Sequence, residues 1–242
     1  MVKIPHSPEE IFTEFTNDVK ALFGDDLVAI ALYGSGAKGE YVYKKSDINF
    51  LVVLTEAGMG KLSAALEFVK KWDKRKVSAP LFLSREYIAS SLDSFPIEFL
   101  NMKKYHKPVY GEDILAGLEF SREHLRLKCE EQVKGKLLHL REGFLRTFGN
   151  RQALETLLAA TIPAFASLFT ALLEFNNIAV PATKKDTILK AAESFKLDQE
   201  IFSRVLAVRE KTYKPEKSEL IELTVNYIKE IHKLAIIVDA WQ

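Results

Sequence analysis

The chain has 242 residues, of which 48% are hydrophobic and 28% charged, with 34 basic and 33 acidic side chains. This length holds one large domain or two modest ones, each with a real core, and the composition is that of a globular protein. A net charge of +1 creates no global field toward nucleic acid or an anionic membrane, so neither is expected as a partner.

Cysteine usage and the first residues bear on the compartment in which the protein works. Cys129 is the single cysteine, so no internal disulfide can form. Residues 1–5 lack the apolar core of a signal peptide, and no apolar stretch is expected to reach the length of a membrane helix. We therefore expect a cytoplasmic protein.

Helix and strand patterns alternate over the first hundred-odd residues. Residues 8–23 carry a helical apolar stripe, with Ser7 as the candidate N-cap and Gly24 as the stop. Residues 27–33 form a short apolar run that is typical of a strand buried on both faces. The further predicted elements are strands at residues 47–54, 80–83 and 95–100 and a helix at residues 61–72.

The strand pattern disappears after Gly111, and the rest of the chain is predicted to be helical. The predicted helices span about residues 121–147, 151–175, 184–195, 198–209 and 218–238, with Asn150, Asp198 and Ser218 as candidate N-caps. We place the domain boundary at this change of class, which gives domains at residues 1–115 and 116–242. The predicted fold class is therefore α+β, a small mixed β-sheet domain followed by an all-helical bundle domain.

The most informative segment is the glycine-rich loop after the predicted strand at residues 27–33. Residues 34–39 read GSGAKG. The three glycines let backbone N–H groups converge on an anion without obstruction by side chains, and Ser35 adds a hydroxyl donor. Such turns are also common in ordinary loops, so the loop indicates a phosphate site only together with the residues that follow it.

Two polar side chains lie on the next predicted strand. Because side chains alternate along a strand, Asp47 and Asn49 are expected on one face. Ile48 and Phe50 would then enter the core. Oxygen-bearing side chains beside a phosphate-binding turn suit a Mg²⁺-bound triphosphate, so the segment predicts a nucleotide site where the two strands meet.

These residues resemble the signature of the polymerase-beta-like nucleotidyltransferase superfamily, which is G-S, a short glycine-containing turn, and D-x-D or D-x-E on the next strand. The resemblance covers roughly residues 25–110. The helical remainder is similar in kind to the C-terminal domains of aminoglycoside-type and related small bacterial nucleotidyltransferases. The resemblance implies a nucleotidyltransferase domain that moves a nucleoside monophosphate from a nucleoside triphosphate, with one or two Mg²⁺ ions, to an unknown small-molecule or protein acceptor.

The resemblance also implies a role for individual residues. Those that would bind the nucleotide are Gly34, Ser35, Gly39 and Ser46. Those that would hold metal and carry the chemistry are Asp47, Asn49 and Glu98. Glu98 is placed third because its predicted strand turns the flanking Ile97 and Phe99 to the opposite face; it is equally consistent with a solvated residue on an edge strand.

Asn49 departs from the family pattern, because an aspartate or glutamate is expected at its position. An amide oxygen can bind a hard cation but brings no negative charge. Three interpretations stay open: a slow enzyme, a nucleotide binder with one metal ion, and a protein-interaction module that has lost nucleotide binding. Three loop lysines would either contact phosphates or be simply exposed: Lys38, Lys44 and Lys45.

Overall fold

The computed structural model describes residues 3–241, and its chain divides into two compact units, Met1–Phe120 and Ser121–Gln242. The first unit combines helices with a small mixed sheet, and the second is helical. The predicted α+β fold class is confirmed. The predicted division into two domains, at residues 1–115 and 116–242, stays a prediction.

The first unit alternates strands with short helices. Its strands are β1 (Leu27–Tyr33), β2 (Asn49–Leu54), β3 (Leu81–Ser84) and β4 (His106–Gly111). Its α-helices are α1 (Phe12–Phe23), α2 (Ser35–Lys38), α3 (Glu56–Met59), α4 (Leu66–Asp73), α5 (Arg85–Ser90) and α6 (Pro96–Lys104). Short 3-10 helices span Pro8–Ile11, Gly24–Asp26 and Leu62–Ala65.

The four strands form one mixed sheet in the order β3-β2-β1-β4. β1 pairs antiparallel with β2 on one side and with β4 on the other, and β2 pairs parallel with β3. The C-terminal end of β1 and the N-terminal ends of β2, β3 and β4 therefore lie along one edge of the sheet, the edge that runs across the ends of the strands. The glycine-rich loop leaves β1 at this edge.

Both faces of the sheet are covered by apolar side chains. On one face, side chains of α1 and α4 pack on β1 and β2, and the rings of Phe15 and Phe50 stack with centroids 4.0 Å apart. On the other face, α5 and α6 bring Ile88 and Phe99 against Leu51. The two central strands are thus buried on both faces, as the continuous apolar run at residues 27–33 predicted for β1.

Two sequence predictions for the first unit were wrong and one element was missed. Residues 95–100 begin helix α6 and are not a strand; Pro96 occupies the first helical turn, where its missing N–H costs nothing. A short apolar run does not by itself distinguish a strand from a buried helix. Ser7 makes no side-chain cap hydrogen bond. Strand β4, which begins at His106, had no sequence signal because it carries Pro108 and little apolar alternation.

The second unit is a bundle of helices at nearly the predicted positions. They are α7 (Arg122–Arg146), α8 (Arg151–Phe175), α9 (Lys184–Ser194), α10 (Gln199–Arg209) and α11 (Lys217–Asp239). The side chains of Asn150 and Asp198 accept hydrogen bonds from the first turns of their helices, as predicted. Ser218 is not a cap, because α11 begins after Glu216, whose N–H donates to the Glu219 carboxylate at 3.0 Å.

Helix α8 corrects the expectation that no apolar stretch is long enough to cross a membrane. Its 25 residues reach a mean hydropathy of 1.9 over the most apolar window, which satisfies a membrane span by length and composition. Of that window, 56% is buried inside the protein. The apolar character of α8 is thus largely accounted for by its packing against α7, α9, α10 and α11.

Replacing Phe15 by alanine should destabilise the first unit by about 3–5 kcal/mol, the usual cost of emptying a buried phenylalanine site. The side chain is fully buried, and its ring lies 5.1 Å from that of Trp72. Urea unfolding followed by tryptophan fluorescence measures the change. Phe148→Ala is the control, since that side chain is 92% exposed. Equal losses in both variants would contradict the packing described.

Candidate functional site

The glycine-rich loop folds as a tight turn into a single helical turn. Gly34 has φ +73° and ψ −150°, a conformation that side chains strongly disfavour. Its carbonyl oxygen accepts hydrogen bonds from the N–H groups of Ala37 and Lys38, each at 3.1 Å. The N–H groups of Ser35 and Gly36 belong to the first turn of α2, where a helix leaves its amides without internal partners.

The turn is in direct contact with the start of β2. Tyr33, the last residue of β1, pairs with Asn49, the first residue of β2. A Cβ atom on Gly34 would lie 3.1 Å from the Asn49 side-chain nitrogen. A glycine is therefore required at position 34 for two reasons, the positive φ of the backbone and the close approach of Asn49.

The residues before and after Ile48 alternate as predicted. Ile48 and Phe50 are fully buried in the core on the α1 side of the sheet. Asp47 is exposed and Asn49 is half-buried, and Asn49 shares its face with Leu51 on the α6 side. Since β2 begins at Asn49, Asp47 lies in the loop just before the strand.

Asp47 already has a cationic neighbour, Lys76. The Lys76 Nζ lies 3.5 Å from Asp47 Oδ1, and both side chains are about half exposed. The Lys76 backbone has φ +64°, and its carbonyl oxygen accepts the Ile48 N–H at 2.8 Å. The segment that carries Lys76 is thus tied to the segment that carries Asp47 by backbone pairing, and not only by the ion pair.

Gly39 and Ser46 shape the loop between α2 and β2. Gly39 ends α2 in the left-handed conformation, φ +79°. The Ser46 hydroxyl oxygen accepts the Val42 N–H at 3.0 Å, which closes a turn just before Asp47. Its hydroxyl hydrogen stays available to an acceptor.

Glu98 lies on α6 and not on a strand, and its side chain is exposed. Phe99 of the same helix packs on the face of the sheet that Asn49 shares. Glu98 is therefore on the same side of the sheet as Asn49, although no element fixes its carboxylate beside Asp47. Within residues 3–241, no group of three or more His, Cys, Asp or Glu side chains could hold a metal ion.

The pairing of β1 adds two residues that the sequence did not single out. Tyr33 pairs with His106 on the side away from β2, so Asn49, Tyr33 and His106 form one row across three strands. Burial raises the pKa of the Tyr33 phenol above its usual range. The His106 side chain is nearly buried, with Nε2 2.8 Å from Asp113 Oδ1 and Nδ1 3.0 Å from a carbonyl oxygen of α6. His106 therefore holds α6 and the Asp113 segment together.

A basic and aromatic cluster borders the glycine turn. The Lys38 Nζ lies 4.4 Å from the centre of the Tyr105 ring, and the Lys104 Nζ lies 5.2 Å from it. Lys104 and Tyr105 are neighbours in the sequence. The connection to Lys38 exists only because α2 packs against β4.

Comparisons with known proteins give a likeness to solved structures. No family model matches the chain, and no curated protein matches it. The chain is similar to the crystal structure of spectinomycin adenyltransferase AAD(9) from Enterococcus faecialis with ATP and spectinomycin, at 16% sequence identity and a TM-score of 0.48. The similarity covers 92% of this chain and 98% of that chain. At this level the likeness concerns the path of the chain and assigns no activity.

Replacing Gly34 by alanine should lower the free energy of unfolding of the first unit by about 1–3 kcal/mol, because of the strained φ and the contact with Asn49. Chemical denaturation measures the change. Gly117→Ala is the matched control in the same unit, since its Cβ would meet nothing within 4 Å. A Gly34 variant as stable as the control would show that Asn49 does not rest against the turn.

Proposed function

We propose that the first unit binds a nucleoside triphosphate, with the phosphates at the Gly34–Ser35 turn. The contact between Gly34 and Asn49 carries this proposal, because it holds the turn in one conformation. In that conformation two first-turn amides and the Ser35 hydroxyl border the same edge of the sheet. A preformed set of donors at one point suits a compact anion.

The charge distribution around the turn supports an anionic ligand. Residues 34–49 carry more lysines than carboxylates, and the lysines are Lys38, Lys44 and Lys45. Lys104 joins Lys38 around the Tyr105 ring. A local positive surplus attracts a triphosphate even though the whole chain has a net charge of only +1. The protein would therefore recognise phosphate groups locally rather than a long nucleic acid.

The side chains at this edge do not fit the Mg²⁺ that the family resemblance implies. Asn49 brings no charge, and the carboxylate of Asp47 already faces the ammonium group of Lys76 at 3.5 Å. Glu98 projects from helix α6, which does not hold its carboxylate beside the other two candidate ligands. One carboxylate that is already paired is a poor ligand set for a hard dication. We therefore assign no step to a metal ion.

Nucleotidyl transfer is the second candidate function. It is favoured because Asp47, Asn49 and the helix that carries Glu98 lie on one side of the sheet. In such a transfer, a hydroxyl oxygen of a small-molecule or protein acceptor bonds to the α-phosphorus while the bond from that phosphorus to the bridging oxygen breaks. Pyrophosphate leaves, and the hydroxyl proton passes to solvent. A cytoplasmic location is part of both proposals.

Titration calorimetry with ATP, GTP and adenosine tests the binding proposal. We expect the triphosphates to bind and adenosine to bind far more weakly, because the contacts are to phosphate. Ser35→Ala should weaken ATP binding at least about tenfold, since a hydrogen bond to a charged group contributes roughly 1.5–3 kcal/mol. Ser90→Ala, on the exposed end of α5, is the control. Failure of both triphosphates to bind would reject the proposal.

Restoring the family's carboxylate tests the second candidate. Asn49→Asp adds one charge without volume, and a charge about 4 Å from a cation is worth roughly 1–4 kcal/mol, depending on screening. The variant should bind ATP several-fold more tightly in the presence of Mg²⁺ and release pyrophosphate faster than the natural protein. A coupled pyrophosphate assay measures the release. If neither the ATP affinity nor the rate of pyrophosphate release changes, Asn49 does not belong to the site.

A further inference from the structure

Lys76 is held beside the candidate site by the backbone. Its carbonyl oxygen accepts the Ile48 N–H at 2.8 Å, and Ile48 in turn accepts the Ser78 N–H at 3.0 Å. Val77 and Ile48 are buried in the same core cluster on one face of the sheet. Lys76 itself lies in a turn, with φ +64°, and its Nζ lies 3.5 Å from Asp47 Oδ1.

The ion pair between Lys76 and Asp47 is weak and can be exchanged. Both side chains are about half exposed, at 43% and 55%, and exposed pairs of this kind contribute about 0–1 kcal/mol. An anion that arrives at this edge can therefore take over the ammonium group at little cost. A dication would find a single carboxylate here, Asp47, because Asn49 is neutral.

The charge balance of the site also disfavours a dication. Asp47 and Lys76 cancel each other, and Asn49 is neutral, whereas a dication site needs a surplus of carboxylates. The substitution at Asn49 and the presence of Lys76 act in the same direction, since each makes the edge more positive than a carboxylate set would be. Together they remove the reason for a metal ion to bind.

We propose that Lys76 acts as the cation for the nucleotide's phosphates in this protein, so that ATP binds without Mg²⁺. This inference rests on the proposed function, nucleotide binding at the Gly34–Ser35 turn. The distance from the Gly34–Ser35 turn to Lys76 is short. Asn49 pairs with the end of β1 on one side, and the Lys76 segment pairs beside Ile48 on the other. Neighbouring strands are about 4.8 Å apart. Phosphates at the turn can thus reach across Asn49 to Lys76.

The first measurement is calorimetric titration of the full chain with ATP, once in excess EDTA and once with MgCl₂. We expect the two dissociation constants to agree within about twofold to threefold. Titration of the protein with MgCl₂ alone should give no binding heat. If ATP binds only when Mg²⁺ is present, the inference is wrong while the proposed function stands. If ATP binds in neither buffer, the proposed function fails and the inference with it.

The second measurement uses substitutions at the ion pair. Lys76→Gln should weaken ATP binding in EDTA by about tenfold, the effect of one well-placed charge. Lys70→Gln is the matched control, because Lys70 is an exposed lysine of the same unit that pairs with Glu67. Circular dichroism establishes that each variant is folded. Equal affinity of the Lys76 and Lys70 variants would overturn the inference.

The third measurement distinguishes a phosphate-binding Lys76 from a metal-binding Asp47, because the two predict opposite changes in ATP affinity. Asp47→Asn removes the carboxylate that partly neutralises Lys76, so ATP should bind in EDTA as tightly as before or a few-fold more tightly. A metal site built on Asp47 would instead lose its first ligand, and ATP affinity measured with MgCl₂ would fall. A fall in ATP affinity for the folded Asp47 variant, with MgCl₂ or with EDTA, would contradict the role given to Lys76.

Discussion

The pairing of Tyr33 with Asn49 is the constraint on which the rest of the site depends. Both strands are buried on both faces, so a shift of register by one residue would turn Asn49 into the core and Ile48 out of it. The apolar side chains therefore fix the register without any contribution from the site. Once the register is fixed, the turn at Gly34 must lie against Asn49. The fold thus positions the polar residues by burying the apolar ones.

The same sheet also decides the electrostatics of this edge. A segment that follows α4 in the chain returns beside β2, and its bridge at Val77 and Ile48 sets Lys76 next to Asp47. The family resemblance implies further negative charge beside Asp47, and the structure places the ammonium group of Lys76 there.

The helical unit shows how strongly local signals can specify an element. Caps at Asn150 and Asp198, together with helical apolar stripes, gave its helices to within a few residues, because capping and periodicity act over only one or two turns. The membrane-like composition of α8 shows the limit of such signals. Length and hydropathy are the same for a buried helix and for a spanning one, and only packing reveals that much of its surface is covered.

The sequence by itself determined the buried strand at residues 27–33, the glycine turn, the alternation around Ile48 and the α+β class. Each of these follows from neighbours along the chain. Only the tertiary structure decided that residues 95–100 are helical, which places Glu98 on α6, and that Lys76 faces Asp47. The physical reason is that strand pairing joins residues far apart in sequence, and the charge of a site is the sum over all the segments that meet there.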